Sequence, residues 1–215
     1  MEARTWTRRH DCTRLGLVQQ MSFQTLFNFE SALAEYTGAP YAVVTDGCTH
    51  ALELCFRLDR VTYTEFTAFT YISVPQLMHK LNITYQLQSD YWYTVGEYHF
   101  KGTNIWDSAR RLESGMYRVG QKQCVSFGHG KPLQLGKCGA ILLDSKAEYL
   151  ALSCMRSDGR DLSIVPWQDQ RVFKEGYHYC PTLETCQLGI DRLPDITEHI
   201  TKQQYPDLRT IDFQV

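Results

Sequence analysis

The sequence predicts an α/β protein, a parallel sheet covered by helices. Three observations carry that reading. Segments with strand-like alternation take turns along the chain with segments whose apolar residues recur every three or four positions. Short apolar strands run directly into loops rich in glycine and polar residues, the places where open α/β sheets gather ligands. The length, 215 residues, suits one buried core with at most a modest appendage.

From Phe23 to Tyr36, Leu26, Phe29, Leu33 and Tyr36 repeat at helical spacing, and Gly38 can end that helix. Tyr41 to Thr45 is β-rich, and after Asp46-Gly47 a helical pattern runs through Ala51, Leu52, Leu54 and Cys55. Val61 to Phe66 alternates like a strand, Tyr71 to Leu81 is helical with Pro75 near its start, and Ile83 to Leu87 alternates again. Ser89 to Thr103 is aromatic and irregular, with a strand expected near Tyr98 to Phe100. Asn104 to Trp106 reads as a buried strand ending at Asp107, Met116 to Val119 as a hairpin arm, and Cys124 to Phe127 and Ala140 to Leu143 as strands. Ser145 can cap a helix to about Met155, and Thr182 a last helix through Leu193, stopped by Pro194.

Composition narrows the function. The net charge of −2 provides no global positive field for a phosphate backbone or an anionic membrane surface, so nucleic acid is not an expected partner. Arg4, Arg8 and Arg9 precede no apolar run, so neither a signal peptide nor a membrane anchor is expected, and the protein reads as cytoplasmic. The 8 cysteines form no CxxC pair, which favours reduced thiols over a zinc site or disulfides.

Three places carry chemistry. Asp46-Gly47-Cys48-Thr49-His50 joins a strand to a helix, where free amides and the helix dipole favour a bound phosphate; an ordinary turn and cap has the same pattern. Asp107 ends an apolar strand, aimed either at a ligand crevice or at its own turn. In Ser126-Phe127-Gly128-His129-Gly130-Lys131 the glycines let backbone approach a ligand beside the lysine, although a solvated loop lysine fits the local pattern too.

Taken together and in this order, the three sites resemble the DegT/DnrJ/EryC1/StrS family of sugar aminotransferases, within the fold-type I enzymes that use pyridoxal 5′-phosphate (PLP). Cys48-Thr49-His50-Ala51-Leu52 resembles the family's phosphate loop, and Phe69-Thr70-Tyr71 the strand end whose second aromatic covers the cofactor ring. Asp107-Ser108-Ala109 resembles the segment whose aspartate pairs with the pyridine nitrogen, and Ser126 followed after five residues by Lys131 resembles the serine and the Schiff-base lysine. Met155 to Asp161 and Gly176 to Gly189 are similar to later landmarks, so the resemblance runs from about Phe27 to Leu193, with gaps.

The resemblance implies a three-layer α/β/α large domain of the aspartate aminotransferase kind, in truncated form. Residues 1–22 would be an N-terminal arm, 23–193 the PLP-binding domain, and 194–215 a short tail in place of the small domain. It further implies transfer of an amino group from glutamate to a keto-sugar nucleotide by a homodimer with shared active sites, His178 reaching toward the phosphate in the other subunit. Catalysis would rest on Lys131 and Asp107, and the cofactor would touch Cys48, Thr49, Tyr71, Ser126 and His178. The chain departs from the family pattern at Arg110, His178 and Cys180, and is compressed between Leu87 and Asn104. A missing small domain would keep two other functions open: a PLP-fold subunit for binding or assembly, and a PLP enzyme acting on a small amine or amino acid.

Overall fold

In the computed structural model, residues 9–90, 95–201 and 204–213 are described, with side chains from Phe23 onward. The chain forms α1 (Arg9–Thr37), β1 (Tyr41–Thr45), α2 (Cys48–Leu58), β2 (Tyr63–Thr67), α3 (Ser73–Leu81) and β3 (Thr84–Gln88). It continues with β4 (Tyr98–His99), β5 (Ile105–Asp107), β6 (Lys122–Ser126), β7 (Gly139–Leu143), α4 (Lys146–Arg156) and α5 (Leu183–Arg192). Of the expected N-terminal arm, residues 1–8 lie outside the described residues; the rest belongs to α1, which runs unbroken through positions 22 and 23.

Five strands make one sheet in the order β1-β7-β6-β5-β4, and β2 and β3 pair parallel beside it. A bridge between Glu65 and Lys101 joins the two, placing the β4 segment between β5 and β2. The sheet is mixed, which corrects the expectation of an all-parallel one. β5 and β6 are parallel, but β7 is antiparallel to both its neighbours and β4 is antiparallel to β5. The reversal of β4 follows from brevity: Phe100 N–H donates to Ile105 C=O at 3.0 Å, a tight turn that leaves no chain for a helical crossover.

Side chains leave the strands alternately and build two cores. Val43, Cys124, Ile141 and Leu143 pack with α2, α3 and α4 on one face. Ala42, Val44, Val125, Ala140 and Leu142 pack with α1 on the other, joined by Cys186 of α5. The result is the expected three layers, helices on both sides of one sheet. Buried Arg156 pairs with buried Glu30 across the second core and donates to Val44 C=O at 2.9 Å, fixing α4 and α1 to β1. Ser145 and Thr182 cap α4 and α5 as their positions predicted, accepting from Glu148 N–H at 3.3 Å and Thr185 N–H at 3.2 Å.

Met116 to Val119 is not a hairpin arm. Gly115 and Tyr117 donate their N–H groups to the carbonyls of Tyr36 and Thr37 at 3.0 Å each, so the segment completes the end of α1 instead of pairing with a strand. Beyond α5 the chain lies against the sheet's ligand-facing end. Leu112 N–H donates to His199 C=O and Thr201 N–H to Arg110 C=O, both at 2.9 Å, and Leu208 N–H to Ala68 C=O at 3.0 Å. No helix among the described residues is long and apolar enough to cross a membrane.

Candidate active site

At the carboxyl ends of β1, β5 and β6 lies a cavity of about 630 Å³, lined among others by Cys48, Thr49, Tyr71, Asp107, Ser126 and Lys131. Six positions spread over the sequence thus share one space, in the crevice where open α/β sheets bind ligands.

The first wall is the start of α2. Its cap residue, Gly47, is extended and offers no side chain to the amides of the first turn. Gly139, the first residue of β7, holds this turn in place: a Cβ there would lie 2.8 Å from Cys48 Cα and from the Gly47 carbonyl carbon. The sheet therefore touches the turn backbone to backbone. The hydroxyls of Thr49 and Ser73 are 2.7 Å apart and tie the start of α2 to that of α3.

The floor is Asp107, 4% exposed. Its Oδ2 accepts from Tyr98 Oη at 2.8 Å and its Oδ1 from Ala109 N–H at 2.8 Å; Tyr98 Oη also meets Thr70 Oγ1 at 2.7 Å. Burial raises this carboxyl above the usual aspartate range, against the pull of the two donors and of the Lys131 charge. Both donors are neutral, so the anion has room for a cation inside the cavity.

Opposite stands Lys131, 8% exposed, its Nζ donating to Tyr205 Oη at 3.0 Å. Burial lowers its pKa below the ordinary lysine range; Asp107 and Cys48 oppose that shift and Arg110 adds to it. Tyr71, 53% exposed, stands at the mouth with its ring centroid 5.8 Å from that of Tyr205.

His178 is elsewhere. Its side chain is 89% exposed and its Nδ1 lies 3.1 Å from Asp158 Oδ1, outside the cavity of its own chain. The loop bearing it is fixed by a backbone crossing in which Gly176 lies against Asp158 and Gly159, and Gly159 against Lys174, so closely that neither glycine has room for a side chain.

Three further residues stand at the site: His50, expected only as part of the phosphate loop, and Tyr98 and Tyr205, which sequence reasoning did not single out. His50 lines the cavity, its Nδ1 2.5 Å from Asp46 Oδ1 and its ring stacked on Tyr179 with centroids 3.8 Å apart. The spacing of Asp46 and His50, one helical turn apart, was the available signal. Tyr98 orients Asp107, and Tyr205 reaches in from the C-terminal segment; nothing local in sequence marks either role. Arg110, where the family pattern differs, is 1% exposed and donates to the carbonyl of Thr201, which holds that segment in place.

The model of the DegT/DnrJ/EryC1/StrS aminotransferase family matches residues 13–87. No curated protein is significantly similar to the chain in sequence. Among solved structures, 3-amino-5-hydroxybenzoic acid synthase is 19% identical, with a TM-score of 0.58 over 90% of this chain and 64% of that one. A sugar aminotransferase from Micromonospora echinospora is 14% identical, with a TM-score of 0.66 over 84% of this chain and 65% of that one. An aminotransferase involved in the biosynthesis of pseudoaminic acid, from Helicobacter pylori, is 12% identical, with a TM-score of 0.62 over 80% and 58%. The chain spans less than two thirds of the length of each. Over residues 13–87 the chain is similar to the DegT/DnrJ/EryC1/StrS aminotransferase family, and its fold is that of type I PLP-dependent aminotransferases.

Proposed function

We propose that the cavity binds pyridoxal 5′-phosphate through Lys131 and that the chain transfers an amino group, with glutamate as donor, to a keto-sugar nucleotide. One observation carries the reading: a desolvated lysine amine and a buried carboxylate held by neutral donors face one cavity beside a helix N-terminus whose cap residue has no side chain.

The residues present fit the cofactor. The amides at Cys48, with Thr49 and Ser126, would hold its phosphate, where the dipole of α2 favours an anion. Tyr71 would lie against the ring. Asp107 would keep a proton on the ring nitrogen, and the burial that raises its own pKa makes that cation a favourable partner. The cofactor, when bound, supplies an electron sink for negative charge formed on the substrate carbon. Lys131, its pKa lowered by burial, gives up its proton more readily than an ordinary lysine, as attachment requires, and once released would carry a proton to and from that carbon.

Substrate and partner rest on the relatives. The family is described as aminotransferases, and one structural neighbour is a sugar aminotransferase. A homodimer would give His178 a role its own chain does not, since its exposed imidazole is available to a phosphate in the other subunit. A cytoplasmic site of action accords with the free thiols of the seven cysteines described. The reading is tested by borohydride reduction in the presence of PLP, followed by peptide mapping: the pyridoxyl group should be fixed on Lys131, and fixation on Lys137 instead would move the site.

A further inference from the structure

Residues beyond α5 have no part in the family resemblance, yet they complete the site. Residues 199–201 pair with 110–112, just past the end of β5, through the Leu112–His199 and Thr201–Arg110 hydrogen bonds and a bridge between Arg111 and Ile200. Further on, Leu208 N–H is bonded to Ala68 C=O past the end of β2, and Arg209 Nη1 donates to Ser89 Oγ past β3 at 3.0 Å. The described residues 199–201 and 204–209 therefore lie at the carboxyl ends of three strands, and the latter stretch presents Tyr205. This side chain lines the cavity, and its hydroxyl accepts from Lys131 Nζ at 3.0 Å.

We infer that Tyr205 is an active-site residue that holds the Lys131 amine and stabilises its protonated form. The inference rests on the role proposed for Lys131 and goes beyond it. A lysine that carries protons passes through the ammonium state in a buried cavity, where each hydrogen bond to the charge counts for more than in water. Asp107 acts on this ammonium through its charge, while its hydrogen bonds are to Tyr98 and Ala109. The phenol supplies the hydrogen bond. Burial, with the Asp107 charge, raises the Tyr205 pKa, so its hydroxyl stays protonated and accepts while uncharged.

The test is Tyr205→Phe in the full chain, which keeps the ring and removes the acceptor. The readout is independent of any cofactor: the pH midpoint of reductive methylation of Lys131 by formaldehyde and cyanoborohydride, followed by peptide mass, with exposed Lys146 as internal control. The other groups acting on the Lys131 charge, Asp107 from β5, Cys48 from α2 and Arg110 from the turn after β5, are unchanged. Loss of an acceptor disfavours the ammonium, so the midpoint should fall by up to about one pH unit, roughly tenfold in proton affinity. A midpoint unchanged at Lys131 overturns the inference, and so does an equal shift at Lys146. If PLP and borohydride leave Lys131 unmodified in the parent chain while the midpoint still falls in Tyr205→Phe, the cofactor reading fails and the Tyr205 role stands.

Discussion

The contact between Gly139 and the start of α2 gives a sharp handle on the proposed phosphate cradle. In Gly139→Ala the new methyl would lie 2.8 Å from Cys48 Cα and from the Gly47 carbonyl carbon. Ordinary carbon contacts need about 3.5 Å, so strand and turn must separate by at least ~0.7 Å. Both sides are backbone, and no rotamer change can absorb the displacement. Overpacking of this kind costs about 1–3 kcal/mol, or ~2–4 °C in melting temperature for each kcal/mol in a chain of this size. The functional cost should be larger in proportion, because the displaced amides at Cys48 are those assigned to the phosphate: misplacement near 1 Å can weaken a positioned interaction by ~100-fold. PLP affinity measured by titration, beside a melting curve without ligand, separates the two effects. PLP affinity equal to the parent's in a folded Gly139→Ala would refute the assignment of this turn to the phosphate.

Two further expectations concern single side chains. Asp107→Asn preserves the shape and the Tyr98 contact but cannot hold a proton on a ring nitrogen, so PLP should still bind while the single-turnover reaction with an amino donor slows by roughly 100-fold or more; near-normal turnover would leave Asp107 as no more than the acceptor of its own turn. For His178, the dimer reading predicts twice the chain mass by light scattering with PLP bound and weaker PLP affinity in His178→Ala, whereas a monomer of normal affinity would place the whole site within one chain.

Much of the fold is legible in the sequence because two cores act on each central strand. β1 and β7 are apolar on both faces, which marks Tyr41 to Thr45 and Ala140 to Leu143 without any partner in view. Caps at Ser145 and Thr182 are local chemistry and equally visible. Strand direction is not local: β4 is two residues long within an aromatic run, and its reversal depends on a turn closed by Phe100 and Ile105. The segment Met116 to Val119 misled for a related reason, its β-like residues being drawn to the free carbonyls at the end of α1. At the site, Asp107 and Lys131 could be singled out because each follows a strand, and their conjunction with Cys48-Thr49 made the pattern specific. Tyr205 could not, since its partner is 74 positions away and its placement depends on buried Arg110 holding the segment that carries it.

The most direct measurement is the absorbance spectrum of the purified chain with PLP before and after borohydride, with peptide mapping of the reduced protein and the same series on Lys131→Ala. A cofactor band that borohydride abolishes and one pyridoxyl-modified peptide containing Lys131 are expected for the parent chain, and neither for the variant. A parent chain that gives no band and no adduct would contradict it and favour a PLP-fold subunit for binding or assembly. A borohydride-stable adduct that persists in Lys131→Ala would show that the attachment lies elsewhere.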